Sequence, residues 1–206
     1  MIFGWLRRLA DRRKMERVFS RRPDPFAYET SPYETARFKA MAGCLGGRRY
    51  GAALEVGCAE GAFTAVLAER AGRVTAIDIS PAALGRARAR LRGRPVRFVE
   101  SDARDWSPGP GERFDLIVLG DVLYYLDKPL VRGEFEALFG RVRSWLAPGG
   151  RLILAHAFAS VEERTHRRGF RERFERLGLR LQSENALVGG EISGGVSCLI
   201  SVMEDA

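Results

Sequence analysis

Ala53-Leu54-Glu55-Val56-Gly57-Cys58-Ala59-Glu60-Gly61-Ala62-Phe63-Thr64 is the stretch that decides the fold. It opens as a short apolar run, the mark of a buried strand. The chain then turns through Gly57 and Gly61 and continues with Phe63, Val66 and Leu67 on one helical face. Strand, glycine turn and helix make the first unit of a nucleotide-binding α/β sheet. Gly57 permits a sharp turn at the strand end. Gly61, lacking a Cβ, lets the backbone come close to a ligand, and the new helix offers unpaired N–H groups at its start. The same residues would also suit a tight strand–helix turn that binds nothing.

The chain beyond this turn repeats the alternation of strand and helix. Arg73-Val74-Thr75-Ala76-Ile77-Asp78 reads as a second buried strand ending in an acid. Asp78 falls about 20 residues past the glycine turn, where a carboxylate can hold both ribose hydroxyls. Ile79-Ser80-Pro81 follows, with Ser80 as a cap and Pro81 opening the next helix. Val96 to Glu100 alternates as a third strand and leads to Ser101-Asp102-Ala103. Phe114-Asp115-Leu116-Ile117-Val118-Leu119-Gly120 is the most hydrophobic run and is placed centrally. Ligands of open α/β sheets sit beyond the carboxyl ends of the strands, so Asp121, Tyr124 and Tyr125 become site candidates. A long helix is expected over 130–146, closed by Pro148-Gly149-Gly150. A fifth strand over 151–155 would carry His156 at its carboxyl end. A charged helix over 161–177 and closing strands at 179–181 and 196–202 complete the chain, with a loop at 189–195 that could border a substrate cleft.

Before the first strand, Ser31-Pro32 with Glu34 marks a helix start that runs to about Leu45. Tyr28 and Tyr33, just ahead of the sheet, suit a lid over a ligand or ordinary aromatic packing. Residues 1–22 hold eight Lys/Arg and two acids, so six of the eight net positive charges lie there. This segment is expected to be a basic tail or short amphipathic helix, with 23–206 as one domain. It suits contact with a membrane surface or partner, or a solvated helix resting on the domain. The rest of the chain is near neutral, which argues against a basic nucleic-acid groove.

The chain's 206 residues suffice for a full core. Cys44, Cys58 and Cys198 are scattered, which argues against a disulfide framework and for a reducing, cytoplasmic setting. The two histidines, His156 and His166, stand far apart with no neighbouring ligand pattern, so no metal is expected.

The spacing Glu55-x-Gly57-x-Ala59-x-Gly61 resembles the class I S-adenosylmethionine (AdoMet) methyltransferases, with Ala59 in place of the usual middle glycine. More narrowly, the chain resembles the NodS-like nodulation methyltransferases. Gly57-Cys58-Ala59, Asp115-Leu116-Ile117-Val118, Val122-Leu123-Tyr124-Tyr125-Leu126 and Leu146-Ala147-Pro148-Gly149-Gly150 carry this resemblance, together with the style of Asp24 to Arg37. It covers about Asp24 to Gly150. It implies a doubly wound, mostly parallel seven-stranded α/β sheet with an antiparallel last strand. It also implies AdoMet as cofactor, held by Tyr28, Tyr33, Arg37, Glu55, Gly57, Cys58, Ala59, Gly61, Asp78, Ile79, Asp102, Ala103, Gly120, Asp121 and Val122, with Asp102 on the adenine amino group.

Methyl transfer to an amine needs a neutral nucleophile in line with the methyl carbon, and hence a group to take a proton. Asp121 is the first candidate base and His156 the second. Tyr124, Tyr125 and His156 are candidates for the acceptor pocket. The implied acceptor is a small molecule or saccharide bearing an amine, such as an amino sugar. Methylation of a natural-product hydroxyl is the alternative, and a non-catalytic AdoMet-binding module is a third.

Overall fold

The computed structural model describes residues 2–189 and 195–205. Its elements run α1 (Ile2–Arg21), α2 (Pro32–Gly43), β1 (Tyr50–Val56), α3 (Ala62–Arg70), β2 (Ala71–Asp78), α4 (Pro81–Arg90), β3 (Val96–Glu100) and β4 (Phe114–Gly120). They continue through α5 (Leu123–Leu126), a 3-10 turn (Pro129–Val131), α6 (Arg132–Trp145), β5 (Leu146–Phe158), α7 (Val161–Arg176), β6 (Arg180–Leu187) and β7 (Ser197–Glu204). The seven strands lie in the order β3-β2-β1-β4-β5-β7-β6. The five strands from β3 to β5 pair in parallel, and β7 runs antiparallel to both β5 and β6.

This order places the ligand crevice. β1 pairs with β2 on one side and with β4 on the other, so the connections leaving β1 and β4 diverge around a gap beyond their carboxyl ends. Both sheet faces are covered. Phe135, Phe139, Phe170 and Phe174 from α6 and α7 fill one side. Met41, Leu45, Phe63 and Leu67, from α2, its following turn and α3, fill the other.

The capping serines behave as their sequence suggests. Ser31 Oγ accepts from the Glu34 N–H at 3.3 Å, and Ser80 Oγ from the Ala83 N–H at 3.2 Å. The helix expected over 130–146 starts as a 3-10 turn at Pro129 and ends at Trp145, before the Pro-Gly-Gly segment. The fifth strand extends past 155 because β7 pairs with it as far as Phe158 opposite Ser197. His156 therefore lies within β5 rather than at its end. The loop at 189–195 falls largely on 190–194, outside the described residues.

The N-terminal segment is a docked helix, not a tail. Phe19 is 1% exposed and packs with Ala59 and Ala83. Glu16 accepts from Ser80 Oγ at 2.6 Å and from the Ala82 N–H at 3.2 Å, so α1 holds the start of α4. Among the described residues, no helix is long and apolar enough to cross a membrane.

Candidate active site

The turn after β1 is built by backbone bonds. The N–H groups of Gly57 and Cys58 both donate to the Ile77 carbonyl, at 2.8 and 3.0 Å. Gly57 has φ +82°, and a Cβ there would stand 3.3 Å from Val122 Cβ, so the ends of β1 and β4 approach closely only at glycine. Gly61 also has positive φ, but a Cβ there would meet Ala87 Cβ of α4 at 3.1 Å. Its role is therefore close packing of α4, a correction to the expected approach to a ligand. Ala59, in the middle position, does adopt positive φ, at +47°.

Asp78 ties this turn to the end of β2. One carboxylate oxygen accepts from the Ala59 N–H at 2.8 Å and the other from the Ser80 N–H at 2.9 Å. Burial pushes its carboxyl up, and these two N–H groups oppose the shift. Asp102, past β3, forms a two-point ion pair with Arg104, at 2.9 and 2.7 Å. Arg104 in turn reaches Asp11 of α1 at 3.2 Å.

Asp121 lies past β4 in the left-handed region, at φ +50°, with its own N–H bonded to the Ala155 carbonyl at 2.8 Å. Three donors fix its side chain. Oδ1 accepts from the Tyr124 hydroxyl at 3.1 Å and the Ala157 N–H at 2.7 Å, and Oδ2 faces Arg37 Nη1 at 2.8 Å. Arg37 is buried and also pairs with Glu34 at 2.6 Å. A non-glycine residue held at positive φ by this many contacts is typical of a functional position.

These elements enclose a cavity of about 280 Å³. Gly57, Ala59, Asp78 and Ile79 line it from the β1 and β2 side, Asp102 and Ala103 from β3, and Gly120, Asp121 and Val122 from β4. Tyr28 and Tyr33 close it from the segment before β1, while Tyr124 and Tyr125 stand on its far side. The Tyr33 hydroxyl is buried with no protein partner, a polar group left for a ligand.

Other candidates lie off this cavity. Arg37 acts through Asp121. Cys58 is buried behind the turn against Ala76 and Leu84. Glu55 lies under the turn, accepting from the Thr64 hydroxyl at 2.5 Å, and burial pushes its carboxyl up to about 8. His156 is 1% exposed, edge-on to Tyr124 and Phe170, with neither ring nitrogen partnered. Burial drops its imidazole to about 4. It cannot touch an acceptor, because β5 continues past it and turns its ring into the core beneath α7.

The structure adds α1, whose Arg7, Asp11, Lys14, Met15 and Phe19 also line the cavity. The near i, i+4 spacing of Arg7, Asp11, Met15 and Phe19 was the available signal. It was hidden because two of these residues are charged and a search for an apolar stripe passes over them. Glu34, Arg104 and Lys128 are further lining residues that sequence reasoning missed.

The family model of nodulation protein S (NodS) matches residues 11–196. The chain belongs to the nodulation protein S family. The NodS protein of Rhizobium tropici is 39% identical over 136 residues, covering 65% of this chain and 55% of that protein. The NodS protein of Bradyrhizobium diazoefficiens is 38% identical over 145 residues, covering 68% and 66%. The chain thus spans between half and two thirds of the length of these relatives. In three dimensions it matches the N-methyltransferase NodS of Bradyrhizobium japonicum WM9, in complex with S-adenosyl-L-homocysteine, with a TM-score of 0.81 and 27% identity. That match covers 95% of this chain and 98% of the other.

The family's nucleoside ligand fits this cavity chemically. The close approach at Gly57, the acids at the ends of β2 and β3, and the free Tyr33 hydroxyl form a mixed polar and apolar slot. The N–H groups of Gly57 and Cys58 are taken up by the Ile77 carbonyl and that of Ala59 by Asp78, so they do not cradle a phosphate. Among the described residues, no group of three or more His, Cys, Asp or Glu side chains could hold a metal ion.

Proposed function

We propose that this NodS-family protein transfers a methyl group from AdoMet to the amine of an amino sugar or glycosylated small molecule. The observation that carries the reading is one continuous cavity joining Gly57, Asp78 and Asp102 to Asp121, Tyr124 and Tyr125. AdoMet, when bound, supplies an electrophilic methyl on a sulfonium. Asp78 offers its carboxylate to ribose hydroxyls, and Asp102 offers one to the adenine amino group. Gly57 and Gly120 admit the methionine part, and Tyr33 donates its free hydroxyl there.

The chain's remaining task is to present a neutral amine in line and to exclude water. Asp121 is the carboxylate at the acceptor end. Its Oδ2 takes one bond, from Arg37, and keeps capacity for an N–H of the acceptor. Tyr124 and the Ala157 N–H lock it so that it need not reorganise. Asp121 is thus the group to orient the acceptor and take its proton. Tyr124 and Tyr125 have rings 4.6 Å apart and tilted by 38°; Arg167 covers Tyr124, so the more exposed Tyr125 offers the aromatic face on which a sugar ring can pack. The free thiols of Cys44, Cys58 and Cys198 support a reducing, cytoplasmic setting.

Calorimetry with S-adenosylhomocysteine is the first test. Binding is expected in wild type and at least tenfold weaker in Asp78→Asn, with an unchanged melting point showing the fold intact. Absence of binding in wild type sinks the reading. Asp121→Asn should lower the rate with amine acceptors by about 10²–10³ and leave S-adenosylhomocysteine affinity within a few-fold. An equal rate with hydroxyl and amine acceptors would refute the amine assignment.

A further inference from the structure

Asp121 keeps its φ of +50° only because its surroundings hold it there. Two of its donors, the Tyr124 hydroxyl at 3.1 Å and the Ala157 N–H at 2.7 Å, meet on the single oxygen Oδ1. Both lead back to one side chain, Arg167 of α7. Its guanidinium lies over the Tyr124 ring, 4.2 Å from the centroid, and its Nε donates to the Ala157 carbonyl at 3.0 Å. Asp121, Tyr124 and Ala157 line the cavity, and Arg167 stands behind them.

Neighbouring arginines of α7 are held by acids: Arg168 pairs with Glu184 and Arg173 with Glu136. Arg167, half-buried, has no carboxylate partner among the described residues. Its Nη1 lies 2.7 Å from His166 Nδ1 instead. A guanidinium only donates, so Nδ1 accepts, and the His166 proton sits on Nε2, 2.7 Å from Asp127. Contacts to His166, to Ala157 and to the Tyr124 ring thus fix the guanidinium plane. A cation on the face of a phenol draws on the ring's electrons, which makes the hydroxyl a stronger donor. The acceptor of that hydroxyl is Asp121 Oδ1.

We propose that Arg167 is a positioning residue of the methyl-transfer site: it holds Tyr124 and Ala157 so that both fix Asp121 Oδ1 and leave Oδ2 facing the acceptor. This inference rests on the reading in which Asp121 takes the acceptor's proton. A packing role would be met by any long side chain of similar reach. The positioning role needs the charge and the Nε donor. Methionine keeps a flexible stem and removes both, whereas lysine restores the charge without the planar fork.

The test reads the Asp121 carboxyl directly, by carbon NMR of protein labelled at its aspartate carboxyls and saturated with S-adenosylhomocysteine. Asp121→Asn assigns the signal. Arg167→Met and Tyr124→Phe should move it in the same direction, and Arg167→Lys should place it between wild type and Arg167→Met. Arg168→Met, at the neighbouring arginine, should leave it in place. With glucosamine as acceptor, Arg167→Met should lower kcat by about 10- to 100-fold. KM should stay within about twofold, the pattern of an interaction used in the transition state. An Asp121 signal unmoved in Arg167→Met, an equal movement in Arg168→Met, or full kcat in Arg167→Met overturns the proposal. Should Arg167→Met fail to fold, Arg167→Lys decides by the same movement at smaller size. The carboxyl signal needs no acceptor. A wild type that binds S-adenosylhomocysteine yet methylates no amine would sink the methyl-transfer reading, while the signal still decides whether Arg167 positions Asp121.

Discussion

Glu55 shows how one buried side chain makes stability depend on pH. Its carboxyl is pushed from an ordinary value of 4.5 to about 8 by burial, with the Thr64 hydroxyl opposing the shift. Between those two values the folded chain holds a proton that the unfolded chain has released. Stability from this group is therefore full below 4.5 and falls as pH rises towards 8, by about 1.4 kcal/mol per pH unit. Glu55→Gln, which keeps an acceptor for Thr64, should flatten that slope. Denaturant unfolding at pH 5, 6.5 and 8 should show the variant gaining on wild type as pH rises, and parallel curves would refute the assignment. Ala59 is a second case. Its φ of +47° costs about 1–2 kcal/mol relative to glycine. Its methyl packs against Phe19 and Ala83, worth about 0.8 kcal/mol, and glycine would add about 0.4–1 kcal/mol of unfolded-state entropy. The terms nearly cancel, so Ala59→Gly should change stability by less than about 1 kcal/mol. Asp78, Asp102 and Asp121 were legible because strand-end acids follow from the strand pattern. His156 was misplaced because its role depended on where β5 ends, and pairing with a distant strand, Phe158 opposite Ser197, sets that.

At the scale of elements, α1 is where local sequence and tertiary structure part. Its charges read as a solvated face, yet Arg8 pairs with Asp105 and Glu134, and Arg12 with Glu100. All three acids lie far along the chain, so only the folded molecule brings them together. These pairs are partly exposed and each contributes little. The attachment rests instead on Phe19, which begins a run of rings through Phe26, Tyr28 and Phe38 to Phe63, each 5.6–5.7 Å from the next. Phe19→Ala should destabilise the protein by about 3–5 kcal/mol, less where the site relaxes. It should also speed proteolysis between α1 and α2. Reversing the charge of Arg12 should do neither, and an effect of Arg12→Glu as large as that of Phe19→Ala would show that ion pairs hold the helix.

The whole molecule couples these scales, because the cavity is completed by α1 as well as by the strand ends of the sheet. The sheet order and its switch point were legible from strand–helix alternation. The roof was not, since α1 contributes single side chains from a segment whose composition suggested surface. A ligand under such a roof stabilises roof and sheet together. At 100 times its dissociation constant a ligand adds about 2.7 kcal/mol, and a chain of this size gains about 2–4 °C per kcal/mol. S-adenosylhomocysteine should therefore raise the melting temperature of wild type by about 5–10 °C at that concentration. A chain lacking residues 1–22 loses Met15 and Phe19 from the cavity wall and the Asp11 partner of Arg104. At the same absolute concentration its shift should be less than half that of wild type, and calorimetry should trace the loss to weaker binding. An undiminished shift in the truncated chain would mean that the sheet alone holds the nucleoside and that α1 only rests above it.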